Sequence, residues 1–167
     1  MLDGMWTCRS CGKVHDDLPL CFSAEAPWRS FVSEEEFENR VGLTRDQCII
    51  DDKQHFLRGH IVLPIRGSDS SFEWSVWCSV SDESHHMICD RWHLPERAGD
   101  RYFGWLSTRL PCYPDTQNLK TNILIREPGL VPIMEIQACD HPLYLEQRDG
   151  ITIETVAARA HELLHAV

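Results

Sequence analysis

The sequence predicts an α+β protein with a mostly antiparallel sheet of about five strands, flanking helices and an N-terminal loop of zinc-knuckle type. Three observations carry that expectation. Two stretches in the middle of the chain alternate apolar and polar residues, helix-start signals lie on either side of them, and Cys8-Arg9-Ser10-Cys11 stands near the N-terminus. A chain of 167 residues can bury roughly 70% of its unfolded surface around one core. A single domain over 1–167 is therefore expected, with 1–27 docked on the main body.

Residues 1–27 hold the knuckle and a loop ending at Ala26-Pro27, and show no periodicity of their own. Ser33-Glu34-Glu35-Glu36 has the form of a capping box, with an acidic first turn that suits the helix dipole, so a short helix over about 33–41 is expected. From Phe56 to Ile65, and at Phe72, Trp74, Val76, Cys78 and Val80, the pattern is extended. These segments read as two antiparallel strands around a Gly/Asp/Ser turn at 66–71, with Pro64 at a strand end or sheet edge. Trp74 and Trp77 fall on opposite faces of their strand.

Ser81-Asp82-Glu83-Ser84 starts a second helix that runs to about Trp92 and is closed by Pro95. Further strands are expected at about 102–107, 119–127 and 131–137, separated by the turn-rich 110–116 and by Pro128-Gly129. Thr152 caps a last helix whose Ile153, Val156, Ala157, Ala160, Leu163, Leu164 and Val167 form an apolar face.

Acidic residues outnumber basic ones by 26 to 16, for a formal net charge of −10, and the basic residues are scattered singly. Such a surface repels nucleic acid and anionic membranes and suits a basic protein partner. The chain opens without a cationic and apolar leader and has no run near the ~20 apolar residues that cross a bilayer. A cytoplasmic location is expected, with the eight cysteines reduced.

Cys8 and Cys11, followed by Gly12 and His15, have the spacing that lets two thiolates reach one tetrahedral zinc, with His15 near enough to be a third ligand. This is half a site. Cys21, Cys48, Cys89, His93 and His141 are candidates to complete it. His85 and Cys89 lie one helical turn apart and could chelate a metal, although a partly exposed helix carrying histidines has the same pattern. His161-Glu162-Leu163-Leu164-His165 matches the zinc-peptidase pattern, but the helix phase turns these three polar residues away from Val156, Ala160 and Leu164, toward solvent. A nucleophile elbow, a phosphate-binding Gly loop and a dinucleotide fingerprint are all missing from the sequence.

One combination of motifs runs through most of the chain. It comprises Cys8-x-x-Cys11-Gly12-x-x-His15-x-x-Leu18-Pro19-Leu20, Asp46-x-Cys48-x-Ile50, Trp74-x-Val76-Trp77, Tyr113-Pro114-Asp115-Thr116, Asp140-His141-Pro142-Leu143 and Glu146-Gln147-x-x-Gly150-Ile151. With these the chain resembles the bacterial domain-of-unknown-function family 2199. The resemblance implies that Cys8, Cys11 and His15 belong to the family pattern, and that Cys48 and His141 match positions of the same residue type. It makes the last two the first choices for completing a metal site, and it implies no activity. The function expected is that of a non-enzymatic metal-knuckle module with zinc as cofactor, binding a basic protein as an adaptor or an immunity-type neutraliser. The alternative is a zinc-dependent hydrolase using the knuckle or the C-terminal His-Glu-x-x-His.

Overall fold

The computed structural model describes residues 19–164 in full and the backbone of 3–7 and 14–17. Near the N-terminus β1 (Asp3–Thr7) and β2 (Val14–Asp17) pair as an antiparallel hairpin of their own. A short strand β3 (Cys21–Ser23) follows, then a 3-10 turn at Pro27–Ser30. The helix expected at 33–41 forms in two pieces, a 3-10 turn at Glu34–Glu36 and α1 (Phe37–Arg40). Ser33 makes no capping bond; Glu36 instead accepts from Arg40, which also grips Asp51 through two bonds of 2.9 and 2.8 Å.

Strands β4 (Val41–Leu43) and β5 (Gln47–Ile50) lead into the two long strands foreseen from the alternation, β6 (Gln54–Pro64) and β7 (Ser71–Val80). They pair antiparallel from His55↔Val80 to Pro64↔Ser71. Helix α2 (Asp82–Asp90) begins at Ser81, whose hydroxyl accepts from the Ser84 amide at 3.1 Å, as the start signal predicts. Then come β8 (Arg101–Leu106), β9 (Lys120–Leu124), β10 (Ile133–Ile136), α3 (Pro142–Asp149) and α4 (Ile153–Leu164).

The α+β class holds, but the sheet has eight strands and is closed. Its order is β3-β7-β8-β9-β10-β6-β5-β4, and the β6–β7 pairing joins five of them into a barrel. An up-and-down run of five strands has to end parallel to its beginning, and β10 does run parallel to β6, at Ile133↔His60. Gly59 permits this closure: a Cβ there would lie 2.6 Å from the Met134 side chain and 2.8 Å from the Pro132 carbonyl. Beyond Ile133 strand β10 leaves β6, and the Gln147 amide takes over, bonding both backbone groups of Ile136 at 2.8 and 3.2 Å.

Period-two alternation decides what fills the barrel. Leu57, Ile61, Leu63, Phe72, Trp74, Val76, Ile123 and Met134 form the main core, while Phe56 and Trp77 join Val32, Cys48 and Ile50 in a second cluster. Trp74 and Trp77 thus lie on opposite faces and both are buried, each burial contributing roughly 1.5–3 kcal/mol. On α4, Val156, Arg159 and Ala160 are buried and Leu164 is exposed, so the inward face includes a charged residue and is rotated from the one expected. Among the described residues no helix is long and apolar enough to cross a membrane.

Candidate metal centre

On the outside of the barrel, β6 contributes Arg58 and His60, and β7 contributes Glu73 and Ser75. Strand β3 adds to the first half of β7 in parallel, with Cys21 opposite Glu73 and Ser23 opposite Ser75. His60 is opposite Ser75 on the other side. Because directly paired residues point to the same face, Cys21, Glu73 and His60 meet along a diagonal across three strands. One ligand atom from each lies within 4.8 Å of the other two, and His60 Nδ1 is 3.5 Å from Glu73 Oε2. Arg58 runs along the same face, donating to the Ser75 hydroxyl at 3.3 Å and approaching Asp46 at 3.6 Å. Its Nε is buried and has no partner among the described residues.

Electrostatics distinguish two uses for this cluster. Cys21 is exposed on the edge strand, but partial desolvation of its sulfur, assisted by the Glu73 carboxylate and opposed by Arg58, pushes the thiol above its ordinary range. A thiol raised in this way is a poor nucleophile. Burial also lowers the His60 imidazole, against the pull of Glu73, and the charges of Arg58 and Arg126 lower it further. A neutral imidazole is the form that binds metals, and a bound divalent ion would displace the thiol proton. Sulfur, nitrogen and carboxylate oxygen together are a donor set that suits zinc.

Other sites foreseen in the sequence have different surroundings. Cys8 and Cys11 lie outside the described residues, and His15 lies on β2 opposite Trp6 with its side chain likewise outside them. Cys48 is fully buried in the second apolar cluster, which pushes its thiol up to about 11. His141 caps α3, its Nδ1 accepting from the Leu143 amide at 3.1 Å, while Nε2 lies 3.2 Å from the carbonyls of both Pro114 and Asp115. Among the described residues, the one group of three converging ligand atoms contains neither Cys48 nor His141.

His85 and Cys89 do approach each other, at 3.4 Å, and His85 Nε2 also reaches Gln47 Oε1 at 3.0 Å and stacks on His55. In the His-Glu-x-x-His segment, His161 is half-buried, Glu162 accepts from the Cys112 thiol at 3.3 Å, and His165 lies outside the described residues. A cleft of about 580 Å³ between 24–31 and 107–109 contains Arg29 and Arg109. Carboxylates already hold both, Glu25 and Glu34 the first and Asp115 the second.

Several motif residues after Leu110 form a polar lock. Trp74 donates to the Tyr113 oxygen at 3.1 Å, Tyr113 donates to Glu146 at 2.6 Å, and Arg159 clamps Glu146 through bonds of 2.8 and 2.5 Å. Arg159 also lies over the Tyr113 ring, 4.9 Å from its centre. Burial, followed by the Glu146 carboxylate, raises the Tyr113 phenol well above its usual range. Thr116, fully buried, donates to the Thr108 carbonyl and accepts from the Leu110 amide. These residues hold loop, helix and barrel together.

The fold and this outer-face cluster define a small α+β protein built on a closed five-strand barrel, with thiol, imidazole and carboxylate gathered on its surface. The chain belongs to DUF2199, described as an uncharacterized protein conserved in bacteria, whose model matches residues 7–151. That span includes Cys21, His60 and Glu73 and stops short of α4 and its His-Glu-x-x-His. Comparison with curated proteins returned no match, and neither did comparison with solved structures.

Proposed function

We propose that this family member is a zinc-type metal-binding module that works by holding a partner, not by turning over a substrate. The carrying observation is the convergence of Cys21, His60 and Glu73 within 4.8 Å. The knuckle residues Cys8, Cys11 and His15 supply a second half-site in the same proposal, by their spacing. The partner is a basic protein, drawn by the net charge of −10, and the module serves as an adaptor or as a neutraliser of that partner. Elemental analysis of the purified chain tests the metal. Cys21→Ser and His60→Gln should each remove one equivalent, and the pair Cys8→Ser/Cys11→Ser should remove a separate one. Metal content unchanged in all three variants overturns the proposal. Association with a basic partner should slow as salt rises, because screening shortens to about 8 Å at physiological ionic strength.

A second reading, a zinc-dependent hydrolase, is favoured by one feature of the cluster. It offers three protein ligands, which is the ligand count of hydrolytic zinc sites, where the fourth position takes water. Metal-dependent hydrolysis that disappears in Glu73→Gln would select it over the binding module.

A further inference from the structure

Resting on the proposed metal at Cys21, His60 and Glu73, we infer that the ion's remaining position is built to take a small oxyanion, which Arg58 would hold. The Arg58 guanidinium is only partly used. One terminal nitrogen donates to Ser75 at 3.3 Å and another lies 3.6 Å from Asp46, but Nε is buried without a partner among the described residues. A buried donor left unbonded costs about 1–3 kcal/mol. Arg58 lies on the same face as all three ligands, since its strand neighbour two residues on is His60 and its hydroxyl partner Ser75 is opposite His60.

Charge points the same way. A divalent ion bound to the Cys21 thiolate and the Glu73 carboxylate is neutralised by them. Arg58, on the same face, then brings its positive charge beside the neutral centre, with Asp46 3.6 Å from one of its terminal nitrogens. The Arg58 guanidinium therefore weakens the site for a cation alone, and an oxyanion bridging the ion and Arg58 offsets that repulsion. Arginine's fork fits the oxygens of a carboxylate or of a tetrahedral oxyanion. Metal and oxyanion should accordingly bind with positive coupling, each raising the affinity of the other by the same factor.

The experiment is a cobalt(II) titration of the full chain, followed by its visible spectrum, in sodium sulfate, sodium acetate or, as the control, sodium perchlorate, whose weakly basic anion scarcely coordinates, at equal ionic strength. His60→Gln identifies which part of the signal belongs to this site. Sulfate or acetate should tighten cobalt binding on the order of ten-fold over perchlorate, within the usual range for coupled sites. In Arg58→Gln cobalt should still bind, as tightly as in the parent or more so, while the gain from the oxyanion falls below about two-fold. Cobalt binding that ignores both oxyanions, or an equal response in Arg58→Gln, overturns the oxyanion inference and leaves the metal site standing. A parent that binds no cobalt at this site in any of the salts overturns both.

Discussion

Two polar clusters on this barrel contrast in how completely they are bonded. Around Glu146, Trp74, Tyr113 and Arg159 close a network at 2.5–3.1 Å, and both carboxylate oxygens are used. On the outer face of β6 and β7, the corresponding separations are 3.3–3.6 Å, and Arg58 Nε has nothing to bond among the described residues. A buried polar network stabilises a fold only when all of its members are satisfied. The first cluster meets that condition within the chain. The second does not, and the convergence of Cys21, His60 and Glu73 is what distinguishes it from a structural ion pair.

The contrast can be broken most sharply at the lock. Glu146→Ala strands the Arg159 guanidinium, which is 7% exposed, so unfolding in urea should show a loss of about 3 kcal/mol or more. A loss below about 1 kcal/mol would mean that the lock contributes no more than a surface pair. Next in size is Gly150→Ala. Gly150 has φ of +80°, and a Cβ would meet the Pro64 carbonyl at 2.7 Å where α3 returns to the barrel. Thermal unfolding should register a cost of about 2 kcal/mol.

A smaller effect is expected from pH at the stacked pair His55–His85. Burial, and then the neighbouring His55, holds the His85 imidazole below its ordinary value, with Asp82 opposing. The unfolded chain therefore takes up this proton first as pH falls. The stability concerned is present above the unfolded value of about 6.5 and is lost as pH drops through it toward the depressed folded value. His60 is shifted in the same direction and adds to the slope. Urea midpoints should fall between pH 7.5 and 5.5, and His85→Gln should flatten part of that fall; an unchanged slope in the variant would remove His85 from the account.

The smallest effect on stability is expected at Glu73. In chelator-treated protein Glu73→Gln should stay within about 0.5 kcal/mol of the parent, because its 3.5 Å contact with His60 is part-exposed. The same variant should lose the metal of this site by elemental analysis. A large loss of stability without metal would make Glu73 a structural residue like Glu146.

Elements whose physics is local were legible in the amino-acid pattern. Strands β6 and β7 follow from period-two alternation, α2 from the Ser81 cap, and the start of α4 from Thr152, whose hydroxyl accepts from the Thr155 amide at 3.2 Å. The motif residues of the family resemblance were legible too, Cys8, Cys11, His15, Cys48 and His141 as candidate metal ligands, and Tyr113, Glu146, Gln147 and Gly150 as a pattern without a role. Only the tertiary structure shows that Tyr113, Glu146 and Gln147 bond the loop and α3 to the barrel, that His141 caps α3, and that Gly150 fits under Pro64. Helix α3 itself was hidden because four of its eight residues are charged or amide-bearing and its apolar periodicity is weak. Barrel closure and the candidate site share one cause of illegibility. Cys21 joins His60 and Glu73 only because β3 pairs in parallel with β7, far along the chain, and the barrel closes only through the close approach that Gly59 allows; both depend on long-range register.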